Sequence, residues 1–428
     1  MKIKNFDVLA VSELRRVALN IVEEGLSSID TAKALRNTVR LNGDVLRIED
    51  ESYSVKSLKR IFVVAVGKCS LESAVVLENI LGDRLSEGVA VDVRPGGYLK
   101  RVNYFRGTHP YPSEENVKAA KEVINLLSKV DQNDLVIFVI SGGGSTLLCY
   151  PEDSSYKEES SIVKSLIKAG VTIQEMNTVR KHLSLARGGF LAKYVYPAKA
   201  VALIFSDVPG DDIGFIASGP TVKDTTTIDE AAATLAKYDI FGKCSLENCG
   251  LIETPKDKKY FENVKNIIVI SNSAALSAME NKAKELGFKA KVHDGALIGE
   301  AREMGIKIAR ELHKLPSHTV LLYGGETTVT VRGSGRGGRN LEMALSAVEE
   351  VKENEVILPF ASDGRDNGEF AGAICDIITR EAIQKNKLDV QETLKENNGY
   401  PLFEKVGHYL FTGDTGSNVS DLAIAVKF

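Results

Sequence analysis

Cysteine is scarce in this chain. There are five among 428 residues, an odd number, scattered along the sequence. That excludes a small scaffold stapled by disulfides. Cys244 and Cys249 form the closest pair, but no second pair or histidine stands nearby, so the spacing argues against zinc. Reduced thiols in a cytoplasmic protein are the expectation. Long apolar runs are also missing; none approaches the ~20 residues that a membrane helix needs. The opening Met1-Lys2-Ile3-Lys4-Asn5-Phe6-Asp7 lacks the apolar core of a signal peptide. No charge of one sign dominates: 54 basic residues face 58 acidic ones, a net charge of −4. A broad cationic footprint for nucleic acid is therefore excluded. Tryptophan is absent, and nothing follows from that. Short repeats and low-complexity tracts are absent too.

What remains is an ordinary globular composition, 43% apolar and 26% charged. The length favours two domains. Residues 8–40 carry apolar positions at helical spacing (Leu14, Val17, Ala18, Ile21, Val22) and predict two helices. Three continuous apolar runs follow, at 61–66, 135–140 and 200–205. Such runs fit strands of a parallel sheet buried on both faces. An amphipathic stretch, 114–129, lies between them with Ser113 as its N-cap. The alternation predicts a doubly wound α/β sheet. The polar, charged stretch 243–265, which holds Pro255, is read as a domain boundary or a long excursion. Beyond it, strands are expected at 266–270, 288–292, 319–323, 327–331 and 356–360, with helices at 299–312 and 340–351.

Most of these strands end in glycine-rich blocks, and none of the blocks is a Walker P-loop. They are Val66-Gly67-Lys68, Ser141-Gly142-Gly143-Gly144-Ser145, the block 206–212, Gly324-Gly325-Glu326, the block 333–340, Ser362-Asp363-Gly364, and 412–418. Open α/β sheets bind ligands beyond the carboxyl ends of their strands. Glycine there lets backbone N–H groups approach an anion. An ordinary turn needs one glycine, and Ser141–Ser145 has three, so this loop is read as an anion cradle. Gly333, Gly335 and Gly338 complete a GxGxxG pattern, a weak signal alone. Arg336 and Arg339 add cations that a dinucleotide site does not require, so a triphosphate or acidic substrate fits better.

Lys68 stands at the mouth of a buried strand. A surface lysine at a helix start is disfavoured by the helix dipole, so a role on a transferring phosphoryl group or a substrate carboxylate is preferred. Asp207, Asp211 and Asp212 cluster in one loop, and Asp363 and Asp366 flank Gly364. Carboxylates at strand ends suit Mg²⁺ or removal of a hydroxyl proton. N-capping before Ile213 is the equal alternative for Asp211 and Asp212. Glu326 is either a metal ligand or an arginine partner. Arg180 and Ser184, at i and i+4, form either a cationic helix face or a second anion clamp. His182 is read as structural.

Taken in order, these blocks resemble the class II glycerate kinases, whose C-terminal part is the MOFRL domain. The resemblance rests on Val64-Ala65-Val66-Gly67-Lys68, Ser141-Gly142-Gly143-Gly144-Ser145, Val179-Arg180-Lys181-His182-Leu183-Ser184 and Ser206-Asp207-Val208-Pro209-Gly210-Asp211. It continues through Ala217-Ser218-Gly219-Pro220-Thr221, Gly324-Gly325-Glu326-Thr327-Thr328-Val329, Gly337-Gly338-Arg339-Asn340 and Thr412-Gly413-Asp414-Thr415-Gly416-Ser417-Asn418-Val419. It spans nearly the whole chain. It implies ATP-dependent phosphorylation of D-glycerate with Mg²⁺ or another divalent metal. It also implies a Rossmann-like domain (1–255), a smaller MOFRL-type domain (256–428) and a site between them, the final segment being free to return to the first domain. Archaeal members resemble glycerate 2-kinases of non-phosphorylative sugar breakdown. Lys68 and Arg339 would be the main catalytic and substrate-gripping residues. Three departures stand out: Cys69-Ser70, Asp414 in place of a usual proline, and Asp363-Gly364-Arg365-Asp366-Asn367 in place of the usual Asp-Gly-x-Asp-Gly.

The expected assignment is thus a cytoplasmic ATP:D-glycerate 2-phosphotransferase, monomeric or homodimeric. Lys68, Arg339 and Asp207 would be catalytic, and Arg180 would help to bind substrate. Ser141, Gly142, Gly143, Gly144, Ser145, Gly335, Gly337 and Gly338 would hold phosphates. Asp207, Asp363 and Glu326 would hold the metal. The alternatives are an NAD(P)H-dependent hydroxypyruvate reductase, supported by GxGxxG alone, and a non-enzymatic sugar-phosphate-binding module.

Overall fold

A computed structural model describes residues 1–208, 210–244 and 249–428. Pro209, within the block 206–212, lies outside them. The chain forms two compact units. One comprises Thr31–Ser206 and Asp211–Val269, and the other Met1–Asp30, Asp207–Gly210 and Ile270–Phe428.

The first unit opens with an antiparallel meander, β1 (Val39–Asn42), β2 (Val45–Ile48) and β3 (Glu51–Ser54). Six strands then build its main sheet: β4 (Ile61–Val66), β5 (Leu85–Asp92), β6 (Val102–Arg106), β7 (Leu135–Ser141), β8 (Lys199–Phe205) and β9 (Val264–Ile270). Their spatial order is β6-β5-β4-β7-β8-β9. β4 runs parallel to β5 and β7, β5 to β6, and β7 to β8. Every residue of β4 and β7 is buried, which is why both read as unbroken apolar runs. The chain winds outward from β4 to β6 and then returns to start again at β7. The point between β4 and β7 is therefore where the winding reverses, the place where such sheets take ligands. The helix Glu114–Leu127 is closed by a capping box of Ser113 and Asn116, as the sequence predicts for its start.

The second unit carries a mixed sheet of β10 (Lys289–Leu297), β11 (Thr319–Gly325), β12 (Glu355–Ala361), β13 (Gly372–Ala373), β14 (Cys375–Asp376), β15 (Tyr409–Leu410) and β16 (Asp421–Lys427). Its order is β10-β11-β16-β12-β13-β15, with β14 also on β12. The last strand, β16, lies antiparallel between β11 and β12. Apolar faces of the helices Ala301–His313 and Arg339–Ala347 fill the core. The helix Glu13–Ser28 belongs here as well. It packs on the helix Asn272–Glu285, on β12 and on β16. Its Arg15 is buried and bridges to Asp376 at 2.6 and 2.7 Å.

Several expectations are corrected. By packing, the crossing falls between Val269 and Ile270 rather than near 255, and the first thirty residues group with the later unit. The final strand, β16, is central to the sheet of the second unit. No strand forms over 327–331, where Thr328 makes a single bridge to Glu300. Cys244 and Cys249 are joined by a disulfide, their Cα atoms 5.1 Å apart, so not all five thiols are free. Cys249 has a left-handed φ of 53°, a backbone conformation that a count of spacings does not show. Among the described residues, no helix is long and apolar enough to cross a membrane.

Candidate active site

In the first unit, the loops after β4 and β7 meet at the reversal point. Gly67 has φ +121°, and a Cβ on it would lie 2.1 Å from Ser141 Oγ. Only glycine allows so close an approach with that backbone. The amide of Lys68 donates to the Gly142 carbonyl at 2.9 Å. Gly143 is also left-handed, at φ +84°, and a point at its Cβ position lies 3.4 Å from Lys68 Cγ and 3.5 Å from His109 Cδ2. Both side chains therefore hang over the triglycine turn. Ser145 Oγ lies 2.9 Å from Ser218 Oγ, which donates to Asn177 Oδ1 at 2.8 Å.

Ala217, Ser218 and Gly219 all have positive φ, at 51°, 60° and 56°. Two successive non-glycine residues in that region store strain of the kind found at functional sites. The amides of Gly188 and Gly189 hold the segment through the Ser218 and Gly219 carbonyls.

Arg180 stands near the end of the helix Ile173–Lys181. Its pKa is lowered, first by burial and then by the nearby charge of Arg187. Arg187 is fully buried, paired with Glu159 at 2.7 Å, and donates to the Arg180 carbonyl at 3.0 Å. It braces the end of the Arg180 helix. Ser184 does not share a helical face with Arg180, because the helix ends first. Its hydroxyl donates to the Leu148 carbonyl and accepts from the Tyr150 amide. His182 is buried, as a structural histidine should be, with Nδ1 2.9 Å from the Thr178 carbonyl. No helix starts at Ile213. Asp212 instead closes a turn by accepting from the Gly214 amide at 2.8 Å.

The sequence reading missed His109. Its loop is fixed by buried Asn116, which accepts from the Thr108 amide at 2.8 Å and donates to the Thr146 carbonyl at 2.9 Å. The usable signal was positional. Thr108-His109-Pro110 follows β6, at a strand's carboxyl end.

In the second unit, Arg339 opens the helix Arg339–Ala347. Its Nε meets Asp421 Oδ2 at 2.5 Å, and its Nη1 meets Glu326 Oε1 at 2.5 Å. Glu326 is thus an arginine partner here. Burial opposes the charge on Arg339, but Asp421 and Glu326 outweigh it and raise the pKa above the guanidinium value. Burial pushes Asp421 up to about 7 and Asp366 up to about 6. Asp366 caps the Arg339 helix by accepting from the Leu341 amide at 2.7 Å. Asp363 Oδ1 accepts from the Arg365 amide at 3.0 Å. The backbone carbonyl of Asp207 accepts from Ser420 Oγ at 2.8 Å.

Two departures from the family pattern now have partners. Asp414 pairs with Arg365 at 2.5 Å. Asn367 takes a left-handed φ of 56°, tolerable for asparagine, and its amide holds the Gly337 carbonyl at 2.9 Å. The Gly333–Gly338 loop is corrected in one respect. The amides of Arg332 and Gly333 donate to Asn397 Oδ1, that of Gly335 to the Glu396 carbonyl, and that of Arg336 to Asn398 Oδ1. Gly335 already donates its N–H within the protein, which leaves Gly337 and Gly338 as the phosphate candidates. Among the described residues, no three His, Cys, Asp or Glu side chains converge as a metal cage. Mg²⁺ typically takes only one or two carboxylates, with phosphates and water completing the shell, so the absence of a cage does not argue against it.

Residues 17–249 match the family described as "Domain of unknown function (DUF4147)", and residues 319–421 match the MOFRL family. A glycerate 2-kinase of Pyrococcus horikoshii is 37% identical over 97% of this chain and 97% of its own. The chain belongs to the glycerate kinase family. A crystal structure of glycerate kinase from Thermotoga maritima shares its fold with a TM-score of 0.85. It is 34% identical, and the match covers 96% of this chain and 99% of that one. A further relative of this glycerate kinase family member, from Agrobacterium vitis, carries a provisional hydroxypyruvate reductase name. It is 37% identical over 85% of this chain and 86% of its own.

Proposed function

We propose that the protein transfers the γ-phosphoryl group of ATP to the 2-hydroxyl of D-glycerate, giving 2-phosphoglycerate and ADP. The observation that carries this reading is Lys68 poised over the triglycine turn at the reversal point of the sheet. The full-length similarity to glycerate 2-kinases supports it.

In this proposal Lys68 stabilises charge on the moving phosphoryl group, and Ser141–Ser145 with Gly337 and Gly338 holds nucleotide phosphates. Arg180 and Arg339 grip the glycerate carboxylate. Arg339 must exchange one carboxylate partner to do so, and Glu326, 52% exposed in its side chain, is the one able to leave. Asp207 accepts the hydroxyl proton or, with Asp363 and Glu326, approaches the metal. Mg²⁺, when bound, neutralises phosphate charge. Positioning and electrostatics supply most of the rate. That residues of both units serve one reaction is part of the proposal, as are a cytoplasmic monomer or homodimer and a place in non-phosphorylative sugar breakdown.

The hydride-transfer alternative rests on Gly333, Gly335 and Gly338, and one observation counts against it. The Gly335 amide already donates to the Glu396 carbonyl at 2.9 Å, so it is not open to a pyrophosphate. Product analysis with ATP, Mg²⁺ and D-glycerate tests the proposal. The expected product is 2-phosphoglycerate with stoichiometric ADP. No ADP release, or oxidation of NAD(P)H with hydroxypyruvate instead, refutes it.

A further inference from the structure

His109 is the titratable group at the reversal point that the roles above leave unused. It is exposed, and its loop is rigid. Asn116 ties Thr108 to Thr146, and Thr146 Oγ1 donates to the Pro110 carbonyl at 3.2 Å. The ring thus has a fixed place beside the triglycine turn, with Cδ2 3.5 Å and Nε2 3.8 Å from a point on Gly143 that also lies 3.4 Å from Lys68 Cγ. The charged groups acting on it are Lys68, at the end of β4, and Arg180, on the helix Ile173–Lys181; both are cations. Although the residue is exposed, the protein atoms crowded around the ring strip part of its water, and with these two charges they hold the imidazole well below its usual range, so it is neutral near pH 7.

We propose that His109 is a third ligand of an oxyanion, a substrate carboxylate or a nucleotide phosphate, bound with Lys68 and Arg180. This rests on the kinase reading for its choice of ligands. A neutral imidazole donates one N–H to the anion without adding a third repelling charge. Once the anion is in place it offsets Lys68 and Arg180, and protonation of the ring becomes easier. The bound form then has the higher pKa. By linkage, affinity rises as pH falls through the interval between the free and bound values.

Calorimetric titration with D-glycerate alone and with ADP alone distinguishes the two sources of the anion. Measurements at pH 7.5 and 5.5 on the wild type, His109→Ala and His109→Gln test the role. We expect His109→Ala to weaken one of the two ligands about tenfold. The wild type should bind that ligand at least threefold more tightly at pH 5.5, and neither variant should show this gain. His109→Gln should recover part of the affinity at pH 7.5. Unchanged affinities within twofold, or a pH effect that survives in His109→Ala, overturn the proposal. Inorganic phosphate provides an arm that does not depend on the kinase reading. The His109 imidazole signal, assigned by its loss in His109→Ala, should titrate at higher pH when phosphate is present. A titration that phosphate does not move refutes the oxyanion role even if glycerate kinase turnover is found. An upward shift without turnover supports the role and discards the substrate assignment.

Discussion

Lys68 and Arg15 show two uses of a buried or half-buried cation. Lys68 lies over a turn and is expected to act on substrate. Lys68→Ala should lower kcat by 10²-fold or more, on the order of 3 kcal/mol of transition-state stabilisation, while leaving the thermal midpoint nearly unchanged. Steady-state kinetics and a melting curve check both halves.

Arg15 instead serves the fold. Its side chain is 0% exposed and its partner Asp376 is 2% exposed. Arg15→Met leaves Asp376 buried without a counter-charge, which should cost about 3–5 kcal/mol in chemical denaturation. Burial works against the Asp376 carboxylate, yet Arg15 and the Thr379 amide hold its pKa below the usual value. Its contribution to stability is present above the unfolded carboxylate range near pH 4. It is lost as pH falls through the lower folded value. The acid-unfolding curve of the variant should therefore be flatter than that of the wild type. The cysteines give a third check. Alkylation under denaturing, non-reducing conditions should modify Cys69, Cys149 and Cys375 only, and reductant should add Cys244 and Cys249.

Among the elements, the junction of β4 with β7 matters most. Gly67 sits where a Cβ would meet Ser141 Oγ at 2.1 Å, whereas Gly43, with φ +60°, has nothing within 4 Å of its Cβ position. Both are left-handed, so the pair separates backbone strain from crowding. Gly43→Ala should cost about 1 kcal/mol. Gly67→Ala adds an overpacking cost and should lose at least about 2 kcal/mol, together with most of the activity, because Lys68 is the next residue. Unfolding midpoints of the two variants test this. The continuous apolar runs made the strands of this sheet legible from sequence, with β4 matched end to end and β7 to within a residue. The expected strand at 327–331 failed for a tertiary reason. Its backbone instead turns to the Gly299 carbonyl and to Glu300, through the Thr328 and Thr330 amides.

For the whole molecule, the division into units does not follow chain order. Residues 1–30 cover β12 and β16 with the helix Glu13–Ser28, whose Val17, Ala18, Leu19, Ile21 and Val22 are buried. Removing them should strip the second unit of that cover and of the Arg15 ion pair. The truncated chain should therefore lose the transition of that unit, or aggregate, while the transition assigned to the parallel-sheet unit survives. Differential scanning calorimetry checks this, and an unchanged profile would contradict the packing described.

The amino-acid order by itself determined the local features. Apolar runs fix buried strands, Ser113 fixes a helix start, and glycine blocks mark where the backbone must turn closely. The family followed from the sequence because those blocks recur in order. Only the tertiary structure decided which distant groups meet. It brought His109 to Lys68, Asp421 to Arg339, Asp414 to Arg365, and β16 between β11 and β12. The physical reason is that periodicity and turn propensity are local, whereas partners separated by tens to hundreds of residues are chosen by the burial and charge compensation of the folded chain as a whole.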